Sequence, residues 1–204
     1  MKKIFLPFLF ISFILYAAGQ ENKKNNSGDY THSRAPLRQN PYIELPLGAI
    51  IPQGWLKEML TRQKNGATGN LDTLYSLVMN HRNGWLGGNG DQWERGPYWI
   101  DGLLPLDYIL EDKALIAKTK PWIEWAINSQ QPDGYFGPSK DYGAEPGLQR
   151  SNSRDWWPKM VMLKILKQYY SATHDQRVIT LMTNFPKNRL ITGHFGHATG
   201  AVII

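Results

Sequence analysis

Residues 98–130 read YWIDGLLPLDYILEDKALIAKTKPWIEWAINSQ, and this stretch decides the fold class. Its first part sets Trp99, Leu103, Leu106 and Leu110 at i, i+4, i+7 and i+11, the recurrence of one face of an α-helix. Its second part sets Ile116, Ile123 and Ile127 on one row, with Trp122 and Ala126 beside them. Glu111 and Asp112, between the two, read as surface and capping residues. The stretch is therefore a helical hairpin, 98–110 followed by 113–130. Pro105 lies inside the first arm and is expected to kink it.

The flanking segments repeat the pattern. Residues 55–64 carry Trp55, Met59 and Leu60 near one face and stop at Asn65-Gly66. Asn70 is expected to cap a helix through Leu71, Leu74, Leu77 and Val78 that ends before Asn83-Gly84. On the other side, Ser153 is expected to cap a helix to about Thr173, with Met162, Ile165, Leu166 and Tyr169 at i, i+3, i+4 and i+7. A last helix starts near Asp175 and buries Val178, Leu181 and Met182. Tyr42–Pro52, apolar and proline-bearing, reads as an extended edge segment. Residues 84–96 (GWLGGNGDQWERG) and 131–152 (QPDGYFGPSKDYGAEPGLQRSN) are too rich in glycine and proline to be helical. Long connections inside compact domains are commonly functional. Paired helices joined alternately by short and long loops imply an all-α protein, with the hairpins set around a ring and one face of long loops forming a cleft.

The ends read differently. Lys2 and Lys3 precede an apolar run, Ile4 to Tyr16, and then the small residues Ala17, Ala18 and Gly19. This is the form of a secretory signal, with Gln20 as the new N-terminus. The run is shorter than the roughly 20 apolar residues that span a bilayer, so no stable membrane anchor is expected after cleavage. The localisation implied is exported, periplasmic or extracellular. Residues 20–40 are polar and read as a flexible leader. The domain organisation is thus signal 1–19, leader 20–40, a helical domain 41–184, and a tail 185–204 whose sequence (FPKNRLITGHFGHATGAVII) fits no helix and suggests a truncated or frameshifted end.

Composition excludes several classes. The 204 residues contain no cysteine, which removes disulfides, thiolate metal ligands and a thiol nucleophile. The formal net charge is +6, but no basic block appears, so no nucleic-acid footprint is read. His194 and His197 lie three apart without an accompanying carboxylate, and no metal site is assigned.

Seven of the eight tryptophans lie between Trp85 and Trp157. Trp85, Trp93, Trp156 and Trp157 sit in or beside the long loops. Sugar rings pair apolar CH faces with hydroxyl edges, and indoles flanked by carboxylates and amides hold both. Trp99, Trp122 and Trp125 lie on helical stripes and read first as core residues, whereas for the loop tryptophans core and sugar platform are equally open. The carboxylates of these segments are Asp91, Glu94, Asp101, Asp133, Asp141, Glu145 and Asp155. Glycoside hydrolysis commonly uses two such groups. Asp133-Gly134-Tyr135 is turn chemistry in one reading and a cleft rim in the other. Arg154-Asp155 beside Trp156 and Trp157 is either a sugar-hydroxyl clamp or a helix cap with an ion pair. The candidate substrate-binding residues are Trp93, Glu94, Trp99, Asp101, Asp133, Tyr135, Arg154, Asp155 and Trp156. No catalytic residue is assigned.

Three stretches, Trp93 to Leu103 (WERGPYWIDGL), Gln130 to Tyr135 (QQPDGY) and Ser153 to Pro158 (SRDWWP), resemble the N-terminal half of the β-L-arabinofuranosidase family, glycoside hydrolase family 127 and its relatives. The resemblance covers roughly residues 42 to 184 and is specific as a set. It implies an (α/α)6 toroid of which this chain is about the first half, followed by β-sandwich domains. It also implies export by bacteria that degrade plant polysaccharides, with an oligo- or polysaccharide as partner. Characterised relatives hold zinc on three cysteines and a glutamate, one cysteine being the nucleophile. With no cysteine here, neither zinc nor nucleophile carries over. Trp156-Trp157-Pro158 stands where arabinofuranosidase-type members continue Asn-His-Glu-Leu-Tyr, which points to another subgroup. The expected activity is glycoside hydrolase-type carbohydrate processing with an incomplete catalytic centre. A non-catalytic glycan-binding protein and a polysaccharide lyase on a helical toroid are the alternatives.

Overall fold

The computed structural model describes residues 36–39 and 41–192, with side chains up to Phe185. The signal segment, most of the leader, His194, His197 and the end of the tail lie outside the described residues. The chain divides into two units, Met1–Glu44 and Leu45–Ile204. In the first, the described residues are exposed and carry neither helix nor strand.

The second unit is helical. α1 is Gly54–Asn65, α2 Ala67–Leu74, α3 Ser76–Met79, α4 Arg95–Ile109, α5 Lys113–Asn128, α6 Trp156–Thr173 and α7 Gln176–Thr192. A short 3-10 turn covers Gly84–Leu86. Among the described residues there is no β-strand, only an isolated bridge between Glu145 and Leu148.

α4 and α5 form the hairpin expected from the sequence. Asp112 caps α5, its carboxylate accepting from the N–H groups of Ala114 and Leu115. α6 and α7 form a second hairpin. Side-chain contacts fix how the two lie. Trp93, just before α4, bonds Asp155, which caps α6. Asp101 pairs with Lys164 at 2.8 Å, and the Tyr108 ring meets Tyr169 at 6.4 Å. Partner numbers rise together, so α4 and α6 run parallel. Glu124 to Arg177 and Gln130 to the Leu181 carbonyl give the same direction for α5 and α7. The core lies between the hairpins: Ile100, Leu103, Leu104, Trp122, Ile123, Met162, Ile165, Leu166 and Leu181 are all 2% exposed or less. Each such side chain stabilises the fold by roughly 1.5–3 kcal/mol of apolar transfer.

Several expectations are corrected. Asn70 does not cap a helix start. It sits at a kink inside α2, and its amide donates backward to the carbonyls of Lys64, Asn65 and Gly66, closing the end of α1. Ser153 is not the cap of α6, since Asp155 takes that place with its carboxylate accepting from the Trp157 N–H. The 42–52 segment edges no sheet. It turns at Pro46–Ala49, and the Leu47 N–H docks on the Ser171 hydroxyl of α6 at 3.2 Å. The helical pattern does not stop at Phe185, because α7 continues to Thr192. The buried Phe185 ring lies 5.0 Å from Phe136 and 5.4 Å from Trp156, and this tertiary packing holds a stretch with weak helical periodicity.

Candidate functional site

The nine expected site residues separate into a cluster of six and three that lie apart from it. Most gather at the start of α6. The Asp155 carboxylate accepts from the Trp157 N–H at 3.0 Å and from the Trp93 indole N–H at 2.7 Å. Tyr135 is buried there, its hydroxyl within 2.5 Å of the Pro138 carbonyl and 3.0 Å of the Ser153 carbonyl. Burial pushes that hydroxyl's pKa up to about 12. The Asp133 carboxylate accepts from the Tyr135 N–H, so Asp133-Gly134-Tyr135 forms the turn that one reading of the sequence offered. Arg154 does not pair with Asp155 but lies 5.9 Å from the centre of the Tyr135 ring. Trp156 packs on Phe185.

The remaining three lie elsewhere. Trp99 is core, T-stacked on Trp122 at 5.8 Å and donating its indole N–H to the Thr68 carbonyl. Asp101 is committed to Lys164. Glu94 precedes α4 and makes no side-chain capping bond. Of the loop indoles, Trp85 is sealed. It is 0% exposed, wedged edge-on against Trp125 and Phe136, with its N–H shared by the Gln92 and Trp93 carbonyls. Trp157 is 52% exposed.

One member of the α6 cluster has no signature in the sequence. Lys159 is 1% exposed, and its ammonium donates to the Ser153 and Asp155 carbonyls at 2.6 and 3.0 Å. It also lies 4.8 Å from the Tyr135 ring centre. Burial pulls its pKa down to about 7. A lysine one turn into an amphipathic helix reads as solvated, so only the fold exposes this placement.

The open space lies elsewhere again. A cleft of about 330 Å³ separates the 84–92 loop from the 131–142 loop, against the end of α5. Trp125, Asn128, Ser129, Gln131, Gln92, Lys140 and Tyr142 line it, together with four glycines. None of the nine expected substrate-binding residues is among the lining. Its shape depends on two glycines held at positive φ. A Cβ on Gly87 (φ 84) would lie 2.5 Å from the Trp125 indole nitrogen, and one on Gly137 (φ 87) would lie 2.7 Å from the Trp85 ring. The two loops are also tied to each other. The Gln92 amide donates to the Lys140 carbonyl at 2.8 Å, the Gln92 N–H donates to the Gln149 carbonyl, and Gln92 Oε1 is buried with no donor.

The lining contains no carboxylate. Asp91 is locked to Arg95 and the Gln149 N–H, Glu145 to Arg82 and Arg150, and Asp141 to the Ser153 N–H. No group of three or more His, Cys, Asp or Glu side chains among the described residues is placed to hold a metal ion. The residues present therefore do not fit the zinc centre that the family resemblance implies, since the sequence has no cysteine to supply its thiolates. No helix among the described residues is long and apolar enough to cross a membrane. Searches against family models, curated proteins and solved structures found no match.

Proposed function

We propose that this is an exported, carbohydrate-active protein of the glycoside hydrolase type, which holds a saccharide in the cleft between its two long loops. We propose further that the chain by itself binds without turnover. The observation that carries this is the cleft lining: one indole, one phenol, three side-chain amides and two hydroxyls around about 330 Å³. That volume is at the small end of ligand sites, which run from about 300 to 1,000 Å³. Aromatic faces with convergent amides suit a sugar ring, and the exposed Asn128 and Gln131 amides can donate to and accept from its hydroxyls. The two parallel, adjacent hairpins are the unit from which an (α/α)6 toroid would be assembled, with the long loops on one rim. Hydrolysis by two opposed carboxyl groups has no support here, because the loop carboxylates just described are spent on arginines and backbone amides.

The test is calorimetric titration of the mature chain with plant-type oligosaccharides, alongside product analysis. Binding in the micromolar to millimolar range without new reducing ends or ultraviolet-absorbing products is expected. Trp125→Ala should weaken binding about tenfold, in line with the ~0.5–1.5 kcal/mol of an aromatic contact plus its buried area. Unchanged affinity in that variant, or release of arabinose, defeats the reading.

A further inference from the structure

We infer that the saccharide this cleft takes is acidic, and that its carboxylate or sulfate ester docks on Lys140. The inference rests on the cleft being a saccharide site and adds the charge of the ligand. Lys140 is the one charged side chain in the lining. Its ammonium lies 5.2 Å from the centre of the Tyr142 ring and pairs with no carboxylate among the described residues. A second cation, Arg150, lies beside Tyr142 but outside the lining, and it too is imperfectly balanced. Glu145 alone serves two guanidinium groups: Arg82 grips it with two bonds, of 2.9 and 2.8 Å, and Arg150 joins from the other side. Two positive charges on one negative leave a surplus of one. Arg150 stands 5.4 Å from the same Tyr142 ring, and its buried Nε has no acceptor.

The nearby negative groups are turned to other tasks. Asp141, between Lys140 and Tyr142, bonds the Ser153 N–H at 2.9 Å. The carbonyl end of α5 at the cleft is occupied, since the Trp125 carbonyl accepts the Ser129 N–H and the Ala126 carbonyl accepts the Ser129 hydroxyl. Lys140 is thus the charged side chain that borders the concavity, and it offers a bound anion a charge-assisted hydrogen bond.

The experiment titrates the mature chain with a galacturonate trisaccharide, its carboxyl-reduced counterpart and a sulfated galactose trisaccharide. At least one acidic ligand should bind about tenfold or more tighter than the reduced one, an advantage that shrinks as salt screens the charge. Which acidic ligand wins identifies the anionic group. Lys140→Gln should cancel the advantage and Lys140→Arg should restore it. Lys140 is exposed, so neither change threatens folding. Equal affinity for acidic and neutral ligands overturns this inference alone. If no trisaccharide binds, the saccharide reading falls as well. An advantage that survives Lys140→Gln overturns the assignment to Lys140.

Discussion

The start of α6 and the cleft between the long loops stand in opposition. The first collects residue types that suggest chemistry: aspartate, arginine, tyrosine, lysine and indoles. Asp155, Tyr135 and Lys159 are committed to neighbours there, while the Arg154 guanidinium is exposed over the Tyr135 ring. The cleft is bordered largely by glycine, serine, asparagine and glutamine around Trp125, Tyr142 and Lys140, and it is where open space remains. Reactive-looking side chains in this chain serve architecture, and its cavity is shaped by residues that carry little signal of their own.

The largest test of that contrast is Trp85→Ala. This indole supports both loops from inside the core, and its loss should cost about 3–5 kcal/mol and abolish saccharide binding with it. Chemical denaturation and titration of the same variant check this, and retained binding would separate the cleft from its scaffold.

Next come two buried titrating groups, one near the end of α4 and one near the start of α6. Asp107, 0% exposed and bonded to the Thr119 hydroxyl, has its pKa pushed up to about 7 by burial. Between about 4 and 7 the native state keeps that proton and the unfolded chain does not, so this group makes stability fall as pH rises through the window. Lys159, with its pKa pulled down to about 7, behaves oppositely. Above that value the unfolded chain binds the extra proton, and stability rises with pH toward about 10. Unfolding free energy should therefore pass through a minimum near neutrality, on the order of a few kcal/mol deep. Asp107→Asn should flatten the acid limb, and Lys159→Met the alkaline one. A monotonic profile across the range would contradict both placements.

The smallest effect sharpens the comparison most. Asp155→Ala removes the α6 cap and the acceptor of the Trp93 indole, at about 1–2 kcal/mol. Saccharide affinity in the cleft should not move. A parallel loss of affinity would make the α6 cluster part of the ligand site after all.

Much of the helical framework was legible. The hairpin of α4 and α5 follows from its apolar spacing, and Asp112 caps as its position suggests. Asn70 is ambiguous in the sequence because an amide both donates and accepts, and spacing does not say whether it bonds forward or back. The extent of α7 past Phe185 is not legible in the sequence, because Phe185 is held by the rings of Phe136 and Trp156, which are distant along the chain. The cleft was located only coarsely, as a face of long loops. Its lining joins residues some 50 positions apart, and Ser129 or Gln131 acquires meaning only when Gly87 and Gly137 are set opposite. The burial of Lys159 was invisible for the same reason.

The glycines at 87 and 137 carry a practical consequence for anyone redesigning this protein. Each already abuts an indole, so saturation mutagenesis at those two codons should return mostly misfolded clones. Altered ligand preference is better sought at Asn128, Gln131 and Lys140, or by changing the length of the two connections.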